Sequence, residues 1–401
     1  MRLYISESAS AKANKVVLDD MILTTNMPTS AGSKMLDGYK SLFEAEVVTK
    51  LEAAGYDIAG KANVGEFALD FLGETSFYGA CALEDGTLTS AMAEILKAGD
   101  TKAVVTLDVN GMPRRAAALA GLTYIKPTYG TVSRYGTIPA ACSGETVSVM
   151  AGSADDCREV LAVLAAHDDK DGTSLPDAKC ALLKADADRT PVKKIAVAKS
   201  MLAGADEATL DRIDAFRSKA ADMGVEVVEI EADILTAAKA AWNVLMSAEV
   251  TNNVSRYDGI KYGHRAAKYD DINELYINSR TEAFGYLTKS TVLFGSDTLS
   301  TDNYMPVYDK CLRVRRVLCE ALYQLLGDVD AILLPACSKT AYAAEEVIAN
   351  PYTAYEESIY TAPASISGLP VLVAQGVQVI GKPFSENSLL DMAKELEKED
   401  K

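Results

Sequence analysis

The sequence predicts an α/β fold, a mixed and mostly parallel β-sheet covered by helices on both faces. Three observations predict it. Short apolar runs of strand length alternate with longer stretches of helical period along the whole chain. Residues 194–229 read as strand, helix and strand, a crossover unit that makes a parallel pair. Glycine and proline are spread rather than clustered, so no low-complexity linker or short-period repeat divides the chain. A single domain over residues 1–401 is expected, and 49% hydrophobic residues suffice for a large core.

The elements follow in order. Phe43, Val47, Val48, Leu51 and Ala54 recur at helical spacing and stop at Gly55. Tyr56–Lys61 reads as a short strand, Thr89–Ala98 as a helix ended by Gly99, and Ala103–Leu107 as a buried strand. Ser153 is placed to cap a helix running to Ala166, with Asp155 and Asp156 favourable to its dipole. Ala165–Asp177 is a polar connector. Lys194–Lys199 and Glu226–Glu229 are strands flanking the helix Ala205–Met223. Ile234–Arg256 is helical and holds the only tryptophan, Trp242. An Arg-rich helix over Asp309–Leu326 precedes the strand Ala331–Leu334. Gly376–Gly381 reads as a last strand and Ser388–Lys398 as a terminal helix.

Composition narrows the function. With 57 acidic against 40 basic residues, the net charge of −17 opposes extended contact with a nucleic-acid backbone. Seven cysteines without a C-x-x-C pair read as reduced intracellular thiols. Met1–Lys15 lacks the apolar core of a signal peptide, and no run approaches the roughly 18 apolar residues of a membrane span. The expected location is cytoplasmic. Only His167 and His264 are available, which leaves little for Ser-His-Asp chemistry or a His-rich metal site. No cofactor and no metal are expected.

The most informative stretch is Lys126-Pro-Thr-Tyr-Gly130 followed by Val132-Ser-Arg-Tyr-Gly136. Other motifs stand in a fixed order around it: Leu18–Tyr39, Gly60-Lys-Ala-Asn-Val-Gly-Glu-Phe-Ala68, Arg256–Gly263, Ser279–Gly285, Thr361–Pro370 and Gly376–Phe384. Together they resemble the amidase signature family. Within it they are most similar to the A subunits of glutamyl-tRNA(Gln)/aspartyl-tRNA(Asn) amidotransferases. Against that pattern the family's N-terminal helices are absent and a loop between Gly368-Leu-Pro and Gly376-Val-Gln is short.

The resemblance implies a serine nucleophile, a bridging serine and a buried neutral lysine as base, with backbone N–H groups holding the oxyanion. Aligned on the motifs, the lysine position holds Leu18 and the bridging serine position holds Leu88. The family's Asp-Thr-Gly-Gly-Ser-Ile-Arg falls on Asp108–Arg114, which puts Met112 at the nucleophile. Asp108, Gly111 and Arg114 remain, and Val109, Asn110 and Gly111 form the oxyanion turn. Thr89 is the nearest hydroxyl for rescue. Cys142 reads as a core cysteine, and Lys15 lies on the wrong side of its strand.

For a glutamine-like ligand the resemblance implies Arg315 for the carboxylate, Tyr262 lining the pocket, and Ser358 where an acidic residue is expected. Glu357 stands beside Ser358 as a substitute.

Three readings follow. The first is a catalytically degenerate amidase kept for binding or as a scaffold. It pairs with B- or C-type subunits, with an active A-type chain or with itself, and any tRNA is held by a partner. Leu18, Leu88 and Met112 then fill the former site. The second is a small-molecule sensor using the old pocket. The third is an active glutamine amidohydrolase supplying ammonia for Glu-tRNA(Gln) amidation.

Overall fold

The computed structural model describes residues 1–8 and 14–398. Its strands are β1 (Tyr4–Glu7), β2 (Lys15–Asp19), β3 (Asp57–Ala62), β4 (Cys81–Ala82), β5 (Leu88–Thr89), β6 (Ala103–Asp108) and β7 (Thr123–Lys126). They continue with β8 (Thr146–Ala151), β9 (Lys194–Ala198), β10 (Glu226–Ile230), β11 (Ala331–Pro335), β12 (Val371–Ala374) and β13 (Val377–Gly381). Eleven of them form one sheet in the order β1-β3-β2-β6-β8-β7-β12-β13-β11-β9-β10, and β4 and β5 make a separate ribbon.

The sheet is mixed. β3, β2 and β6 run parallel in one flank, and β11, β9 and β10 in the other. The expected strand–helix–strand unit is β9, the helix Glu207–Asp222 and β10. Between the flanks the ladders from β6 to β11 are antiparallel, a larger share than the strand–helix alternation led one to expect. One cause is a hairpin that the hydropathy pattern hides. β12 and β13 are joined by Gln375 and Gly376 at φ 53° and 77°, a two-residue turn that forces antiparallel pairing.

β6, β7, β8, β11, β12 and β13 are buried along their whole length, as strands covered on both faces must be. The helices Ala154–Leu164 and Glu386–Lys398 pack together over β7 and β8. Ser153 caps the first of them, its Oγ accepting from Asp156 N at 3.2 Å. Glu397 Oε1 accepts from Ala154 N at 2.7 Å and ties the second to it. The opposite face carries the helix Met112–Ala120. No helix of the described residues is long and apolar enough to cross a membrane.

Two helix starts lie later than periodicity predicts, for the same reason. The first helix begins at Glu46 rather than Phe43, because Leu23 O and Tyr135 O take the N–H groups of Ala45 and Glu46. The segment expected to open a helix at Thr89 is extended as far as Thr89, since Leu88 N donates to Tyr342 O at 2.8 Å. That helix runs from Ala91 to Lys97.

Two lysines lie wholly inside the core. Lys126 Nζ donates to Leu369 O at 3.0 Å and Pro127 O at 3.3 Å. Burial lowers its ammonium from 10.5 to about 7, against the pull of Asp108. Burial likewise lowers Lys61 to about 8, with Asp20 opposing.

The folded chain therefore releases these protons while the unfolded chain still holds them. The contribution of these two lysines to stability is smallest below about pH 7 and grows from there towards 10.5. Lys126→Met is expected to flatten the rise in Tm between pH 7 and 9, with Lys61 supplying the remainder. An unchanged slope would mean that Lys126 stays charged in the folded chain.

Candidate functional site

β6 ends at Asp108, and Val109, Asn110 and Gly111 turn the chain into the helix Met112–Ala120. Gly111 takes φ 83°, where side chains are strained. A Cβ there would lie 2.5 Å from Thr361 Cβ.

Asp108 organises the turn. Its carboxylate accepts from Gly111 N at 3.0 Å, Arg114 Nε at 2.8 Å and Tyr124 OH at 2.7 Å. Burial alone would raise this carboxyl, but Arg114 and then Lys126 outweigh it and hold it below its ordinary value. The Arg114 guanidinium also donates to Thr361 O at 2.7 Å and Ser365 Oγ at 2.6 Å. Arg115 donates to Phe71 O at 2.9 Å and Asp70 O at 3.0 Å. Both arginines are buried, and together they tie the turn to the helix Thr353–Ser367 and to the 70–71 loop.

The oxyanion-turn residues have other partners. Gly111 N is taken by Asp108, and Val109 is buried. Asn110 Nδ2 donates to Leu69 O at 3.0 Å, and its Oδ1 accepts from Trp242 Nε1 at 3.2 Å.

Met112 is the first residue of its helix and is 1% exposed. Leu18 lies in β2 beside Lys61 of β3 and Val105 of β6. Leu88 is in β5. All three belong to one contiguous apolar core. Lys61, which motif reading passed over, donates to Ile22 O at 2.6 Å and to Thr29 Oγ1. Thr89 Oγ1 donates to Glu94 Oε1 at 2.8 Å, an oxygen that also receives Lys97 Nζ at 3.1 Å. Burial raises the Cys142 thiol, and Asn253 Nδ2 donates to its sulfur at 3.5 Å.

The three pocket residues share no hydrogen-bond or ring partner among the contacts of the described residues. Arg315 is the inward member of its cluster, while Arg313 and Arg316 are exposed and paired with Asp309 and Glu320. Its guanidinium forks onto Ser143 Oγ at 2.8 Å and Ser143 O at 2.7 Å, and Ser143 in turn donates to Glu249. Ser358 is fully buried, accepting from Asn243 Nδ2 at 2.9 Å and donating to Tyr355 O at 2.7 Å. Asn243 and Glu249 are six residues apart on the helix Ala237–Val254, about 9 Å along its axis. Tyr262 is 38% exposed, within an aromatic cluster with Tyr39 and Tyr257. Glu357 is engaged elsewhere, accepting from Ser338 N at 2.8 Å. Among the described residues no group of three His, Cys, Asp or Glu side chains could hold a metal ion.

Comparison with known proteins places this geometry. The amidase family profile matches residues 16–82 and 107–390. The A subunit of glutamyl-tRNA(Gln) amidotransferase from Coxiella burnetii is 34% identical over 422 aligned positions, covering 99% of this chain and 86% of the relative. Its counterpart from Acinetobacter baumannii is 35% identical, covering 93% and 80%. The crystal structure of the A subunit of glutamyl-tRNA(Gln) amidotransferase from Thermotoga maritima gives a TM-score of 0.80 at 27% identity, over 99% of this chain and 87% of that one. A 6-aminohexanoate cyclic dimer hydrolase gives the same TM-score, 0.80, at 16% identity, which speaks for the fold alone.

Replacing Arg114 by Met is expected to destabilise the fold by about 3–5 kcal/mol, because Asp108 would be left buried and uncompensated. Denaturant unfolding of Arg114→Met, Asp108→Leu and the double variant checks this. The double should lose much less than the sum of the singles, and additive losses would show that the two groups are not coupled.

Proposed function

The chain belongs to the amidase family, and from that premise we propose that it is an amidase scaffold without hydrolysis, kept for binding. Met112 carries the reading. It occupies the first helical position after the left-handed Gly111, where the family pattern places its serine. A thioether has no proton to give up and cannot attack a carbonyl in the way a serine alkoxide does. Leu18 and Leu88, at the positions aligned with the base and the bridging serine, are apolar and buried as well. Burying a leucine side chain contributes roughly 1.5–3 kcal/mol, whereas a lysine in its place would lose hydration.

Residues 1–401 are read as one amidase-like domain acting in the cytoplasm. The partners that fit are B- or C-type amidotransferase subunits or a second copy of the chain. The acidic surface leaves any tRNA to the partner.

One observation favours a second reading, an active glutamine amidohydrolase that supplies ammonia for Glu-tRNA(Gln) amidation. The Thr89 hydroxyl already donates to a carboxylate, Glu94, as a displaced nucleophile would need. The amidotransferase relatives also cover nearly the whole chain.

Ammonia release from glutamine, asparagine and an aryl amide separates the two readings. Turnover at background is expected for the chain and for Met112→Ser, since one hydroxyl without its base is not a relay. Turnover well above background that disappears in Thr89→Ala overturns the proposal.

A further inference from the structure

A cavity of about 380 Å³ opens where the last turns of the helix Ala237–Val254 meet the π-helix Tyr304–Asp309. π-helical turns are rare and gather at functional sites. This one sets the Tyr304 and Tyr308 rings 5.2 Å apart between centroids, inclined at 45°. Both line the cavity, and Tyr304 is 45% exposed at its mouth. Among the described residues, Glu249 is the one charged side chain on its walls. Its field reaches the rings: burial raises the Tyr308 phenol, and Glu249 raises it further. Arg315 opposes that effect, but its guanidinium is turned onto Ser143 and does not line the cavity.

These walls present charge and aromatic surface while most of their hydrogen-bonding groups are already engaged. Glu249 Oε2 accepts from Ser143 N at 2.8 Å, and Oε1 accepts from Ser143 Oγ. The Asn253 amide donates to Ala140 O at 2.9 Å and to Cys142 Sγ at 3.5 Å, and its oxygen accepts from Arg256 at 3.1 Å. A primary ammonium brings three N–H donors that need partners. A fully alkylated one needs only contact and a negative field, which aromatic faces beside a carboxylate supply.

We propose that this cavity binds a small organic cation with a quaternary ammonium head, of the trimethylammonium class. The head rests on the Tyr304 and Tyr308 rings with Glu249 as its counter-charge. The net charge of −17 draws cations towards the chain. The inference goes beyond the amidase question and stands apart from it in space. Trp242, which holds Asn110 of the turn after β6, and Glu249 are seven residues apart on one helix, about 10 Å along its axis.

The experiment titrates the full chain by calorimetry with choline, ethanolamine and neohexanol. Neohexanol is the uncharged isostere of choline, and ethanolamine is its primary-ammonium counterpart. Saturable binding of choline, at least about tenfold tighter than of either analogue, is expected. Two variants locate the site. Tyr304→Ala removes one ring at an exposed position. Asn252→Lys sets a cation on the cavity wall, at an exposed residue whose side chain has no hydrogen-bond partner among the described residues. A lysine also suits the last turn of a helix. Each variant should keep the unliganded Tm and weaken choline binding by about tenfold or more. Absence of saturable heat with choline overturns the proposal, as does equal or tighter binding of neohexanol or ethanolamine. Choline affinity that survives in either variant overturns it too, by placing the cation elsewhere. Ammonia release is a separate readout, so this site and the non-hydrolytic reading fail independently.

Discussion

Two guanidinium groups buried at the start of one helix hold the centre of this molecule together. Arg114 closes a bidentate pair with Asp108 at the end of β6 and reaches the helix Thr353–Ser367. Arg115 takes two carbonyls of the 70–71 loop. Segments far apart in sequence are thereby fixed to a single turn by charge-assisted hydrogen bonds in a dry setting, where such bonds are strong and their loss is costly. The left-handed Gly111 and the close approach of Thr361 follow from that convergence.

What the sequence made legible was periodic or chemically punctuated. The strand–helix–strand unit around Glu207–Asp222 and the Ser153 cap are examples, because repeat length and cap chemistry are local. β12 was hidden, since Val371–Ala374 is a four-residue apolar run whose meaning depends on the turn at Gln375 and Gly376. The late start of the helix Glu46–Ala53 was equally out of reach, because it depends on carbonyls of Leu23 and Tyr135, the latter far along the chain.

The site shows the same division. The Asp108–Arg114 spacing was readable, whereas Arg315 was singled out for a ligand carboxylate and forks onto Ser143 in the folded chain. The partners that occupy those groups were not readable. Ser143 fills the Arg315 fork, and Asn110 is bound to Trp242, by contacts that no motif encodes. Lys61 was passed over because its burial comes from neighbouring strands rather than from its own flanks.

The Asp108–Arg114 pair bears on how ancestry is read in this fold. Either residue changed alone strands its partner's charge in the core, so a lineage leaves the pair only by altering both at once. Such a two-step barrier preserves the motif through architecture alone, whatever becomes of the residue between its ends. An aspartate and an arginine in this register therefore date the scaffold and are silent about its present occupation. Position 112 is free of that mutual constraint, so its side chain can change without stranding a charge in the core.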